Sequence, residues 1–141
     1  MLELYRKVGS ATLIMEHKNN LRDILPDASD KLVNAIQNSD EARKRAEVEL
    51  EYDLRYGIEP LTMNDERYPS RLKECDDAPL MLFYKGNANL NQQRVINIVG
   101  TRHCTPYGED LIRRFVTELK QLCPQVLIVS GLAYGVDINA H

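Results

Sequence analysis

Two short glycine turns hold the residues best suited to chemistry in this sequence. The first is Gly100-Thr101-Arg102, and the second runs Ser130-Gly131-Leu132-Ala133-Tyr134-Gly135-Val136-Asp137. Glycine lets successive backbone N–H groups converge on an anion with no Cβ in the way. Arg102 adds a planar, permanently charged fork that matches phosphate oxygens, while Thr101 and Ser130 add hydroxyl donors. The chemistry spelled out is phosphate capture, with no evident nucleophile. Either turn alone reads most simply as a tight strand-to-helix connection without a ligand. A pair on successive strands, one of them carrying arginine, points instead to an anion site. Neither turn contains the GxGxxG dinucleotide fingerprint, and no Gly-Lys-Ser/Thr phosphate loop occurs.

The flanking residues say how these turns are positioned. Val95 to Val99 is short and β-branched, as a central parallel strand requires, and it runs into Gly100. A helix is expected from about Tyr107 to Pro124, with Leu111, Phe115, Leu119 and Leu122 on one stripe and Ile112 and Val116 beside it. Val126 to Val129 is the next strand, and the second turn leads into another helix start. This is one βαβ unit and the beginning of a sequel. A right-handed crossover makes the two strands parallel, so their carboxyl ends open on one edge. Neighbouring strands lie roughly 5 Å apart, which brings both turns to one crevice, with the positive ends of two helices aimed at it. Asp137, just before a helix, reads as an N-cap rather than a general base. Tyr107 and Tyr134 fit stacking on nucleobases and packing against the sheet about equally well.

The preceding residues are helical at first. Leu4, Val8, Thr12 and Met15 have helical spacing, and Ser29-Asp30 can cap a segment whose Leu32, Val33 and Ile36 share a face. Ser39-Asp40 can cap a longer helix with Ala42, Ala46, Leu50 and Leu54 at four-residue steps, stopped by Gly57. Its Arg43-Lys44-Arg45 cluster is followed by Glu47, Glu49, Glu51 and Asp53, which makes it a solvated, ion-paired face rather than a nucleic-acid patch. Ile58 to Met63 suits a strand, and Leu80 to Tyr84 suits a buried one. Tyr5, Tyr52, Tyr56 and Tyr84 read as core or boundary residues.

Composition narrows the classes of function. The 141 residues carry 18 Lys/Arg against 21 Asp/Glu, so no general positive field draws the chain to a polyanion. Residues 1–93 balance at −4 (13 against 17) and residues 94–141 at +1 (5 against 4), so anion binding at the turns must come from local geometry. No apolar run approaches the ~20 residues of a membrane span, and the first residues lack the pattern of a secretory signal. Cys75, Cys104 and Cys123 are odd in number and widely spaced, as in a cytosolic protein with reduced thiols. With His103 and His141 they show no metal-ligand spacing, and no metal is expected.

The segments IVGTRHCTPYGEDL (Ile98 to Leu111) and IVSGLAYGVDINAH (Ile128 to His141), preceded by YPSRLKECDDAPLMLFYKGN (Tyr68 to Asn87), resemble the DNA-processing protein A family, DprA or Smf. The likeness covers roughly residues 56–141. The helical start resembles the end of that family's small SAM-like or helix-hairpin-helix domain. The resemblance implies an α/β fold, with a helical domain over residues 1–57, incomplete at its start, followed over 58–141 by the first part of an extended Rossmann-like domain. It places the rest of that domain, with later basic residues and the dimer and recombinase-contacting surfaces, beyond His141. A truncated two-stranded unit is then expected to leave apolar surface uncovered.

The function implied is that of a cytoplasmic, cofactor-free, non-enzymatic protein that binds single-stranded DNA in natural transformation. Such a protein shields the strand, helps load the RecA recombinase, and acts as a homodimer. The family's phosphate turn falls on Gly100, Thr101 and Arg102, and its second loop on Ser130, Gly131, Ala133, Gly135 and Asp137. Thr101 stands where serine is frequent and Val136 where isoleucine is frequent, and neither change removes a donor or a charge. An enzyme is the second reading. The turn pair is also similar to that of the "lonely guy" phosphoribohydrolases, whose Pro-Gly-Gly-x-Gly-Thr loop and catalytic glutamate would lie beyond His141. A third reading makes the Ala42–Leu54 helix a partner surface of a pure scaffold.

Overall fold

The computed structural model describes residues 2–141, which separate into two units, one up to Lys85 and one from Gly86 to His141. The first unit opens with α1 (Leu2–Val8), α2 (Ala11–Glu16), α3 (Leu21–Ile24), α4 (Asp30–Gln37) and α5 (Asp40–Tyr56). The helical spacing over residues 2–15 is interrupted at Gly9-Ser10, where the Ser10 hydroxyl accepts the Leu13 N–H and starts α2. The break resets the apolar face. Leu4 and Ile14 are buried with Leu21, Ala28 and Ile36, while Met15 is exposed. α4 forms as its sequence dictates, with the Ser29 hydroxyl accepting the Leu32 N–H at 3.3 Å and Leu32, Val33 and Ile36 on the core.

α5 departs from its pattern. The Ala42, Ala46, Leu50, Leu54 stripe is exposed, and Asp53 is the residue that is buried. Charge accounts for much of this, since Arg43–Glu47 (3.2 Å) and Arg45–Glu49 (3.7 Å) pairs make the helix a solvated rod. Ser39 gives it no side-chain cap, because its hydroxyl donates to the Ile36 carbonyl at 2.6 Å. Gly57, at φ +64°, ends the helix with its N–H on the Asp53 carbonyl. Tyr52 and Tyr56 are not core residues. They lie about half exposed and pair with each other, ring centroids 4.3 Å apart, because a four-residue spacing sets them on one face.

β1 (Glu59–Thr62) and β2 (Met81–Tyr84) complete this unit as an antiparallel pair, Glu59 opposite Tyr84 and Thr62 opposite Met81, with α6 (Ser70–Lys73) between them. Leu61 is fully buried, but Met81 and Phe83 are exposed. The run Leu80 to Tyr84 is thus not a buried strand. A two-stranded sheet covers one face, so alternate side chains meet water. Tyr68 is buried, its hydroxyl donating to the Pro79 carbonyl at 2.6 Å.

In the second unit, β3 (Val95–Asn97) and β4 (Leu127–Val129) pair in parallel, Val95 opposite Leu127 and Asn97 opposite Val129. They are joined by α7 (Pro106–Leu122) and followed by α8 (Val136–Asn139), so the α/β class and the βαβ reading hold. α7 starts where Thr105 accepts the Gly108 N–H at 3.2 Å and Pro106 occupies the first turn. Its covered arc is narrower than the sequence stripe. Ile112, Val116 and Leu119 are half-buried, while Leu111, Phe115 and Leu122 are exposed, because two short strands cover only a thin sector of the helix. No described helix is long and apolar enough to cross a membrane. Thr105→Ala is expected to cost about 1 kcal/mol and to speed hydrogen exchange at the Gly108 amide. Exchange unchanged there would remove the cap from this account.

Candidate functional site

Adjacent parallel strands bring the two glycine turns to one edge, and the turns interlock. The Val136 N–H donates to the Thr101 carbonyl at 3.1 Å. A Cβ on Gly135 would lie 2.1 Å from the Thr101 oxygen, and one on Gly100 would lie 2.6 Å from the Val136 Cβ. Gly135 also sits at φ +85° and ψ −126°, a region open to glycine alone. The second turn therefore uses glycine for close approach of backbone to backbone, and the first uses it to seat the Val136 side chain.

Asp137 is not the helix N-cap. Gly135 holds that position, and Asp137 lies buried inside α8. Its Oδ1 accepts the Gly100 N–H at 3.2 Å and its Oδ2 accepts the Gly131 N–H at 3.0 Å. One carboxylate thus fills the convergence point of the two turns and takes the two amides expected to meet a phosphate. The physical reason is local: amides that converge attract the nearest anion, and the chain supplies one from its own next helix. Gly100 and Gly131 build the turns, and their amides are already taken.

The remaining groups belong to the same two turns. Arg102 lines a shallow cavity of about 470 Å³ with Leu132, Ala133, Tyr134 and Ile138. Among the described residues the amides of Arg102, Ala133 and Tyr134 donate to no protein acceptor. Thr101 Oγ1 accepts the His103 N–H at 3.1 Å. Ser130 Oγ accepts the Leu132 N–H at 3.1 Å and lies 2.7 Å from His141 Nε2. Leu132 holds φ +50°, a left-handed conformation that costs a non-glycine residue about 1–2 kcal/mol and persists only where its surroundings impose it. Tyr134 and Tyr107 are 80% and 71% exposed, so neither packs against the sheet. Tyr134 borders the Arg102 cavity, and Tyr107 is not among its lining residues.

The structure thus brings Thr101, Arg102, Ser130, Ala133 and Gly135 to one sheet edge and places Asp137 as the brace beneath them. The arrangement offers one guanidinium, unpaired backbone donors and an open aromatic face, which suits a phosphate with a flat group beside it. Sequence reasoning missed the bridging role of Asp137 and the partnership of His141 with Ser130. No local signal marks the second, because His141 lies past the end of α8 and meets Ser130 only through the return of the chain over the turn.

A family model described as DNA recombination-mediator protein A matches residues 59–141. The DNA processing protein DprA of Streptococcus pneumoniae is 40% identical over 77 residues, covering 55% of this chain and 26% of that protein. The DNA processing protein DprA of Bacillus subtilis is 39% identical over 87 residues, covering 60% of this chain and 28% of that protein. An X-ray structure of DNA processing protein A from Streptococcus pneumoniae superposes with a TM-score of 0.61 at 26% identity, over 99% of this chain and 51% of that one. The chain spans about a quarter of the length of the curated relatives it matches. The matched region contains β1 and β2, the βαβ unit and both interlocked turns, and on that ground the chain belongs to the DNA recombination-mediator protein A family.

Proposed function

We propose that this chain carries a single-stranded DNA-binding edge, in a protein that handles DNA during transformation and recombination. The observation that carries the reading is the cavity shared by Arg102, Ala133 and Tyr134 at the carboxyl edge of β3 and β4. A phosphate would meet the Arg102 guanidinium and the open amides of the second turn, and a base would lie against Tyr134. Such contacts recognise the backbone and the π-face of any base, so the binding is sequence-tolerant and falls with salt. The relatives' names, DNA processing protein and recombination mediator, support this direction. The accompanying expectations are a homodimer, the RecA recombinase as partner, a cytoplasmic setting and no catalysis.

Binding of a labelled oligothymidylate measured against salt tests the reading. Arg102→Ala is expected to weaken binding and to flatten the slope of log K against log salt by about 0.7, one phosphate contact on a single strand. Affinity and slope equal to the parent's would place the phosphate elsewhere. Incubation with AMP is expected to release no free adenine, and release would turn the reading towards a phosphoribohydrolase.

A further inference from the structure

We propose that His141 is a positioning residue of this anion site, setting the direction of the Ser130 hydroxyl and linking anion binding to uptake of a proton. The inference rests on the binding reading above and adds a residue and a linkage to it. Ser130 Oγ accepts the Leu132 N–H and lies 2.7 Å from His141 Nε2. A hydroxyl has one proton to donate and two lone pairs to accept with. When Nε2 carries no proton, Ser130 donates its only hydrogen to the imidazole and has none left for an anion. When the imidazole is protonated, Nε2–H and the Leu132 N–H fill both lone pairs, and the hydroxyl hydrogen is released to an anion. The imidazolium adds a positive charge to the same edge. The neutral Nε2–H tautomer also frees the hydroxyl but brings no charge, so the protonated form remains the one an anion binds best.

Anion binding and protonation of His141 are then reciprocal, each favouring the other. α7, which packs against α8, carries Glu109, Asp110, Arg113, Arg114, Glu118 and Lys120, of which Arg114 pairs with Asp110 at 3.1 Å. Asp137, on α8 itself, has both oxygens held by backbone amides. Arg113, on α7, donates from Nε to Asn139 Oδ1 at 2.9 Å. Arg102 and His103 stand on the first turn, and His103 is the second imidazole there. Histidine is the side chain whose ordinary charge change falls between about pH 5 and 8, which suits it to such a linkage.

The test is oligothymidylate affinity across roughly pH 5 to 8, at constant ionic strength, for the protein, His141→Gln and Ser130→Ala. The protein is expected to bind about fivefold more tightly at the acid end, the upper range for an exposed charge pair. His141→Gln should lose most of that rise and Ser130→Ala only the share carried by the hydroxyl, since it keeps the imidazolium, while His103 is present in all three proteins. A full rise in His141→Gln overturns the linkage and leaves the binding reading standing. Absence of binding at every pH overturns the binding reading and the linkage with it. An NMR titration of the unmodified protein gives a measure free of folding effects. The His141 ring signal should titrate at higher pH with oligothymidylate bound than without, and coincident curves would end the proposal.

Discussion

Gly135→Ala is expected to destabilise the sheet edge formed by residues 86–141 by about 4 kcal/mol or more, the range reserved for severe backbone conflict. The added Cβ would sit 2.1 Å from the Thr101 oxygen and 2.7 Å from the Arg102 carbonyl carbon, all of it backbone that cannot swing aside. The residue also has to keep φ +85°, which itself costs an alanine about 1–3 kcal/mol. The two turns must separate, breaking the 3.1 Å bond from Val136 N–H to the Thr101 carbonyl. Gly57→Ala is the matched comparison. It has a similar positive φ of 64° but nothing within 4 Å of the new Cβ, so only the conformational cost of about 1–2 kcal/mol remains. Hydrogen exchange resolved by residue separates the two. Opening around Thr101 and Val136 in Gly135→Ala, with residues 2–85 unchanged, is the expected result. Equal effects of the two substitutions would mean that the interlock contributes nothing.

Asp137→Ala should be nearly as damaging, by a different mechanism. It leaves the Gly100 and Gly131 N–H groups without an acceptor in a half-buried crevice, at about 1–3 kcal/mol for each. A loss of about 2–4 kcal/mol is expected after partial rescue by water. Asp137→Asn separates charge from geometry. Its single carbonyl oxygen can serve one amide, while its NH2 would face the other N–H donor to donor, so it should recover at most about half. Faster exchange at the Gly100 and Gly131 amides in both variants is the direct readout. Oligothymidylate binding should fall as well, because Arg102 is carried on the turn that Asp137 holds. Wild-type exchange at both glycines in Asp137→Ala would show that the bridge does not hold the turns.

Both substitutions concern the same fact, that the turns are occupied with each other. Anion-binding loops and loops that bind a carboxylate from their own chain share one sequence grammar, since glycine, small hydroxyls and a following helix serve either use. The difference lies in the acidic residue at the end of the second turn. A carboxylate at the helix start can cap its own helix, or reach back across the crevice. It reaches back here because Gly135 already holds the N-cap position and Asp137 falls one residue inside the helix.

Local pattern by itself determined a good part of this molecule. The Ser29 cap, the Gly57 stop, the parallel pairing around α7 and the arrival of both glycine turns at one edge follow from capping, from β-branched runs and from the handedness of a crossover, each settled within a few residues or one connection. Tertiary structure decided what periodicity cannot carry, namely which face is covered and which donor is already taken. The Leu50–Leu54 stripe of α5 meets water, Phe115 on α7 is exposed, and the Gly100 amide belongs to a carboxylate 37 residues away. Burial depends on how much chain lies opposite a face, and a hydrogen bond depends on which acceptor the fold brings within reach. Neither quantity is written in the residues that experience it.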